Sequence, residues 1–98
     1  MRRIQWSGAQ AAGVSDQWTF IDEHGGTLQR TFRFDNFEKA FAFMTGMAKV
    51  SEELDHHPDW RNCYGRVEVL LNTHDIGGLS EKDIAWARRA DVSFGGNS

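Results

Sequence analysis

The residue pattern predicts an α+β fold, a small antiparallel β-sheet with helices packed on one face in the order β-β-α-β-α. Three observations predict it. A hairpin signal spans residues 18–34, a helical apolar stripe runs from Phe37 to Leu54, and an alternating strand with a second helix behind it fills residues 64–90. Ninety-eight residues make one domain, 1–98, with residues 1–16 as an irregular lead-in and residues 95–98 as a tail.

The lead-in holds Gly8, Ala9, Ala11, Ala12, Gly13 and Ser15 and shows no convincing helical pattern. Trp18-Thr19-Phe20-Ile21-Asp22 has strand composition. Glu23-His24-Gly25-Gly26 is a turn signal, because glycine accepts positive φ without steric cost. His24 reads as solvated there, so its replacement should leave any chemistry untouched. From Thr27 to Phe34, Leu28, Phe32 and Phe34 share one face and Gln29, Thr31 and Arg33 the other, while Arg30 breaks the alternation on the apolar side.

Asp35 is placed to cap the first long helix, with Glu38 three residues on as in a capping box. Phe37, Ala40, Phe41, Met44, Met47 and Ala48 recur at helical spacing, and Phe43, Val50 and Leu54 widen the stripe. Pro58 disfavours helix at His57, so the helix should end near Asp55 or His56. Tyr64 to Thr73 then reads as a strand, with Val67, Val69 and Leu71 facing one way. Gly77-Gly78 turns the chain. Ser80 with Asp83 is a weaker capping signal, since aspartate reaches back less easily than glutamate. The second helix is expected to run to about Ala90, with Ile84, Ala85 and Trp86 inward. Three strands leave exposed edges, which favours pairing between subunits as a homodimer or homotetramer.

Composition removes several function classes. The formal net charge is −3 and no long basic run exists, so a direct nucleic-acid partner is not expected. No apolar run reaches membrane-span length, and the first twelve residues lack signal-peptide order. The single Cys63 allows no intrachain disulfide, which fits a reducing, cytoplasmic setting.

The chemistry concentrates in two segments, Glu52 to Trp60 and Asn72 to Asp83. Three of the four histidines, His56, His57 and His74, lie in them; Asp55 adjoins His56, Asp75 adjoins His74, and His57 stands two residues from Asp59. Imidazole is the side chain that titrates nearest neutrality, so such a cluster suits proton transfer or metal ligation. Spacing argues against metal. Neighbouring residues such as His56 and His57 seldom bind one ion, no helical His-x-x-x-His pair exists, and Cys63 has no partner thiol. The His pair should stand at a helix C-terminus, where the macrodipole favours positive charge and hence a general acid. Taken singly, Asp55, Asp59, Asp75 and Asp83 read as caps or solvated carboxylates, and Cys63 as a small half-buried hydrophobe. Trp60, just past Pro58, is a candidate pocket wall.

At these residues the chain resembles the pterin-4a-carbinolamine dehydratase family. The matching pattern is Glu52, His56-His57-Pro58, the strand from Val67 to Leu71, Thr73-His74-Asp75, Gly77-Gly78 and Leu79-Ser80-Glu81-Lys82-Asp83. Upstream, Phe32, Phe34-Asp35-Asn36-Phe37 and Ala40-Phe41-Ala42-Phe43-Met44 resemble the family's aromatic helix entry. Two features depart from it: the lead-in where members commonly carry a helix, and Lys82 where arginine is common. The resemblance implies dehydration of 4a-hydroxytetrahydrobiopterin to quinonoid dihydropterin, in tetrahydropterin recycling, with no metal or organic cofactor. It implies His56 and His74 as the acid/base pair and His57 as a substrate-holding residue. Asp55 and Glu52 would orient imidazoles, Trp60 would wall the pocket and Asp83 would buttress it. Some animal members also stabilise dimers of a transcription factor, so an interaction role is the alternative.

Overall fold

The computed structural model describes residues 1–95. Its elements are α1 (Trp6–Ala11), β1 (Thr19–Ile21), β2 (Thr27–Arg33), α2 (Phe37–Leu54), β3 (Asp59–Cys63), β4 (Arg66–Leu71), a 3₁₀ turn (His74–Ile76) and α3 (Glu81–Gly95). The strands form one antiparallel sheet in the order β1-β2-β4-β3. The α+β expectation holds, with one strand more than the three expected: the order from β1 on is β-β-α-β-β-α. Gly95 belongs to α3, so helix extends past the expected stop at Ala90; the rest of the expected tail, residues 96–98, lies outside the described residues.

The lead-in is a correction. Residues 6–11 form a helix, although neither composition nor a side-chain cap announces it. Tertiary contacts hold it in place: Ala9 is fully buried, and Trp6 stacks on Phe20 with ring centroids 6.0 Å apart. Just before it, the Ile4 N–H donates to the Leu79 carbonyl at 2.8 Å.

One sheet face carries the core. Leu28, Phe32, Val67, Val69 and Leu71 are fully buried beneath α2 and α3. Phe32 sits among Phe43, Phe94 and Trp18, with centroids 4.7, 5.3 and 5.9 Å away. Arg30 lies on this apolar face because α3 supplies its partner. Its guanidinium donates to Asp91 Oδ1 at 2.6 Å and covers the Phe32 ring at 4.4 Å. Asp91 also accepts from Trp18 Nε1 and from the Ser15 hydroxyl, both at 2.9 Å. A buried cation with a carboxylate and an aromatic face is satisfied rather than misplaced.

The buried stripe of α2 is Ala40, Phe43, Met47, Val50 and Ser51. Phe37 and Phe41, expected inward, are 48% and 54% exposed and pack on each other instead. The cap also moves by one residue. Asn36, not Asp35, accepts from the Lys39 N–H at 2.9 Å, and Asp35 forms a surface ion pair with the Lys39 ammonium. The helix ends where expected: Asp55 follows Leu54 in the left-handed conformation, φ 51°.

Candidate active site

Three chain segments meet at one end of the sheet. The end of α2 delivers His56, the end of β4 delivers Thr73 and His74, and the start of α3 delivers Ser80 and Asp83. Asp83 joins them. It is fully buried, and a carboxylate there needs hydrogen-bond donors on both oxygens. Its Oδ2 accepts from the Ser80 N–H at 2.9 Å and from the Thr73 hydroxyl at 2.7 Å. Its Oδ1 is 2.5 Å from His56 Nε2. The reciprocal half of the helix cap also forms, since the Lys82 N–H donates to the Ser80 hydroxyl oxygen at 3.2 Å. The short Asp83 therefore does reach back to the cap residue, and its position in the first turn of α3 suits a negative charge.

The hydroxyl directions follow by elimination. Thr73 gives its proton to Asp83, so the 2.7 Å contact between Thr73 and Ser80 is donated by Ser80. His56 is equally constrained. As a carboxylate Asp83 can only accept, so His56 Nε2 carries the proton of that bond and Nδ1 is the ring nitrogen left outside it. Only 10% of the His56 side chain is exposed.

His57 behaves differently. Its Nε2 is 2.5 Å from Glu52 Oε2, but the two side chains are 59% and 78% exposed. Glu52 thus orients an imidazole, as expected, while Asp83 rather than Asp55 orients the other. Among the described residues the Asp55 carboxylate contacts no imidazole; its backbone carbonyl accepts from Lys82 Nζ at 3.3 Å. Trp60 is half-buried, and its ring meets Trp86 edge-on at 6.1 Å, on the core side of β3. His74 is exposed at the start of the 3₁₀ turn.

Thr73 and Ser80 complete the shell around Asp83; the Ser80-x-x-Asp83 capping pair was readable from its spacing, but its link to Thr73 and His56 was not. His24 is exposed as expected, yet its ring stands edge-on to His74 with centroids 6.3 Å apart. No local pattern could reveal that, because 50 residues separate the two. Among the described residues, no group of three or more His, Cys, Asp or Glu side chains is arranged to hold a metal ion. Two clefts lie elsewhere: one of about 520 Å³ beside Arg3, Ser7 and Glu81, and one of about 450 Å³ beside Leu54, Arg88 and Val92. His57 and His74 are exposed, whereas His56 is mostly covered.

This fold and sequence have known counterparts. Residues 5–92 match the family model described as pterin 4 alpha carbinolamine dehydratase, and the chain belongs to that family. A protein from Mesorhizobium japonicum, named "Putative pterin-4-alpha-carbinolamine dehydratase", is 53% identical over 79 residues, covering 81% of this chain and 80% of its own. Among solved structures, a transcriptional coactivator/pterin dehydratase from Brucella melitensis superimposes with a TM-score of 0.84 at 38% identity, covering 94% of this chain and 98% of its own. A pterin dehydratase-like protein identified as a RuBisCO assembly factor in the alpha-carboxysome superimposes with a TM-score of 0.69 at 25% identity, covering 81% and 90%. No helix among the described residues is long and apolar enough to cross a membrane.

Proposed function

We propose that this chain dehydrates 4a-hydroxytetrahydrobiopterin to quinonoid dihydropterin by histidine acid/base catalysis, in the cytoplasm and without metal or organic cofactor. The observation that carries this reading is the buried Asp83, which holds His56 in one tautomer beside the turn that bears His74. The reaction breaks the C4a–O bond. One proton goes to the departing oxygen, which leaves as water. A ring N–H proton goes to a base as its electron pair forms the C=N bond. His56 and His74 are the acid/base pair. His57, held by Glu52, binds substrate and stabilises charge. Asp83 acts through His56, and Trp60 and Asp55 shape the surroundings.

The 4a-adduct also dehydrates without enzyme, so the test is acceleration by purified protein over that background, with and without EDTA. Acceleration insensitive to EDTA is expected. A rate equal to the background, or one abolished by EDTA, overturns the mechanism.

Two sheet edges, β1 and β3, are free to pair, which supports a homodimer or homotetramer. Sedimentation that finds only monomer at about tens of micromolar would overturn it. A second reading is an interaction protein that stabilises a transcription-factor dimer. The exposed Phe37–Phe41 pair on α2 and the similarity to a transcriptional coactivator/pterin dehydratase favour it, and the similarity to a RuBisCO assembly factor favours a protein-binding role more broadly. Replacing both phenylalanines separates the two: partner binding should fall and dehydration should not.

A further inference from the structure

We propose that His24 is a positioning residue for His74, a role that rests on the dehydratase reading. Its sequence context, a solvated turn between two strands, gives no hint of this. Four observations do.

The His24 ring meets the His74 ring edge-on at 6.3 Å, at an interplanar angle of 67°. Aromatic rings attract in this arrangement, positive edge to negative face. His74 is otherwise exposed, and no hydrogen bond from its imidazole is seen among the described residues. The His24 ring is therefore a contact that limits how the His74 ring turns.

The turn that carries His24 is fastened to the turn that carries His74. Asn72, two residues before His74, donates from Nδ2 to the carbonyls of His24 at 3.1 Å and Gly26 at 2.7 Å. Two carbonyl partners fix which end of the amide is the nitrogen. Gly25 lies flat on the Gly77–Gly78 backbone, so close that a Cβ on it would fall 1.6 Å from the Gly77 carbonyl oxygen. The hairpin tip cannot slide without breaking both contacts.

Finally, His24 is held at φ 52°, in the left-handed region. Glycine would be easiest there, and glycine follows at both next positions. Among residues with a side chain, histidine, asparagine and aspartate tolerate this region best. Backbone strain of this kind concentrates at functional sites.

The chemistry is orientation rather than proton transfer. An exposed imidazole samples several rotamers, and only some aim a nitrogen at the substrate. Restricting His74 raises the fraction of chains ready to react, which affects kcat more than KM.

The test uses His24→Asn, which keeps left-handed tolerance but removes the ring, and His24→Phe, which restores an aromatic edge without an ionisable nitrogen. Two readouts are needed: steady-state dehydration, and ¹³C-labelled histidine ring signals of His74 in the substrate-free chain. In His24→Asn, kcat should fall about two- to tenfold with KM little changed, and the His74 signals should move toward those of a free imidazole. His24→Phe should recover most of both. The proposal is overturned if His24→Asn matches wild type in both readouts. The ring signals report without turnover. If they respond as expected in a chain that does not accelerate dehydration, the contact stands and the dehydratase reading falls.

Discussion

His56 leaves 10% of its side chain exposed and rests on a carboxylate with no exposure at all, whereas His57, the next residue, leaves 59% of its side chain in solvent and pairs with a carboxylate that is 78% exposed. Both Nε2–carboxylate distances are 2.5 Å. The same dipeptide thus offers one imidazole fixed by a buried network and one held by a surface pair. Geometry alone would rank them equal. Burial does not, because a buried carboxylate that loses its hydrogen-bonded partner is left uncompensated, at about 3–5 kcal/mol. An exposed pair contributes about 0–1 kcal/mol.

The largest effect should come from breaking the buried side of this comparison. Asp83→Ala strips partners from His56 Nε2, the Thr73 hydroxyl and the Ser80 N–H together. Denaturant unfolding should show a loss of about 3–5 kcal/mol, and activity should vanish with the fold. Asp83→Asn sharpens the point. Its amide oxygen can still accept from Ser80 and Thr73, which leaves the NH₂ facing His56 and inverts the tautomer the imidazole must adopt. The fold should survive while the rate drops by about 10²-fold or more. An Asp83→Asn chain with wild-type turnover would remove His56 from the mechanism.

Next in size are the imidazoles. His74→Ala should cost about 10²–10⁴-fold in rate with unchanged stability, because His74 is exposed. His56→Ala should lose rate on the same scale and also stability, since it strands the Asp83 carboxylate. The double variant should lose less than the product of the two, because the pair serves one transition state. His57→Ala should shift the unfolding midpoint hardly at all, within about 1 kcal/mol. A large stability loss there would mean that exposure is a poor guide to this pair.

The legible part of the molecule was the part with local periodicity. The hairpin, the body of α2, β4 and the second helix all announce themselves by alternation or helical spacing. β3 did not. Asp59-Trp60-Arg61-Asn62-Cys63 is an edge strand with only Trp60 and Asn62 half-buried, and edge strands carry charge to discourage stray pairing. α1 did not either, because its six residues are held by tertiary contacts rather than propensity. The facing of Phe37 and Phe41 was misread since both fit the helical period; the direction of the stripe is set by which residues the sheet can cover. At the site, residue types, order and the Ser80–Asp83 cap were readable, while the bonds that tie Thr73 and His56 to Asp83 and the His24–His74 contact became visible only once distant segments met.

The smallest effect tests the same contrast between neighbours at the other end of α2. Asp35 and Asn36 are both cap-type residues, and the sequence favoured Asp35. In the fold Asn36 takes φ −156°, ψ 174° and accepts from the Lys39 N–H at 2.9 Å. Asp35 pairs with the Lys39 ammonium at 3.2 Å, its side chain 86% exposed. Asn36→Ala therefore removes from a helix-end N–H the one partner it has among the described residues, and should cost about 1 kcal/mol. Asp35→Ala breaks a solvated i,i+4 pair worth about 0.3–0.5 kcal/mol. Paired urea curves resolve the difference, and added salt sharpens it: screening should shrink the Asp35 effect and leave the Asn36 effect in place. If Asp35→Ala were the more damaging, the cap would sit one residue earlier and α2 would start as the sequence reading expected.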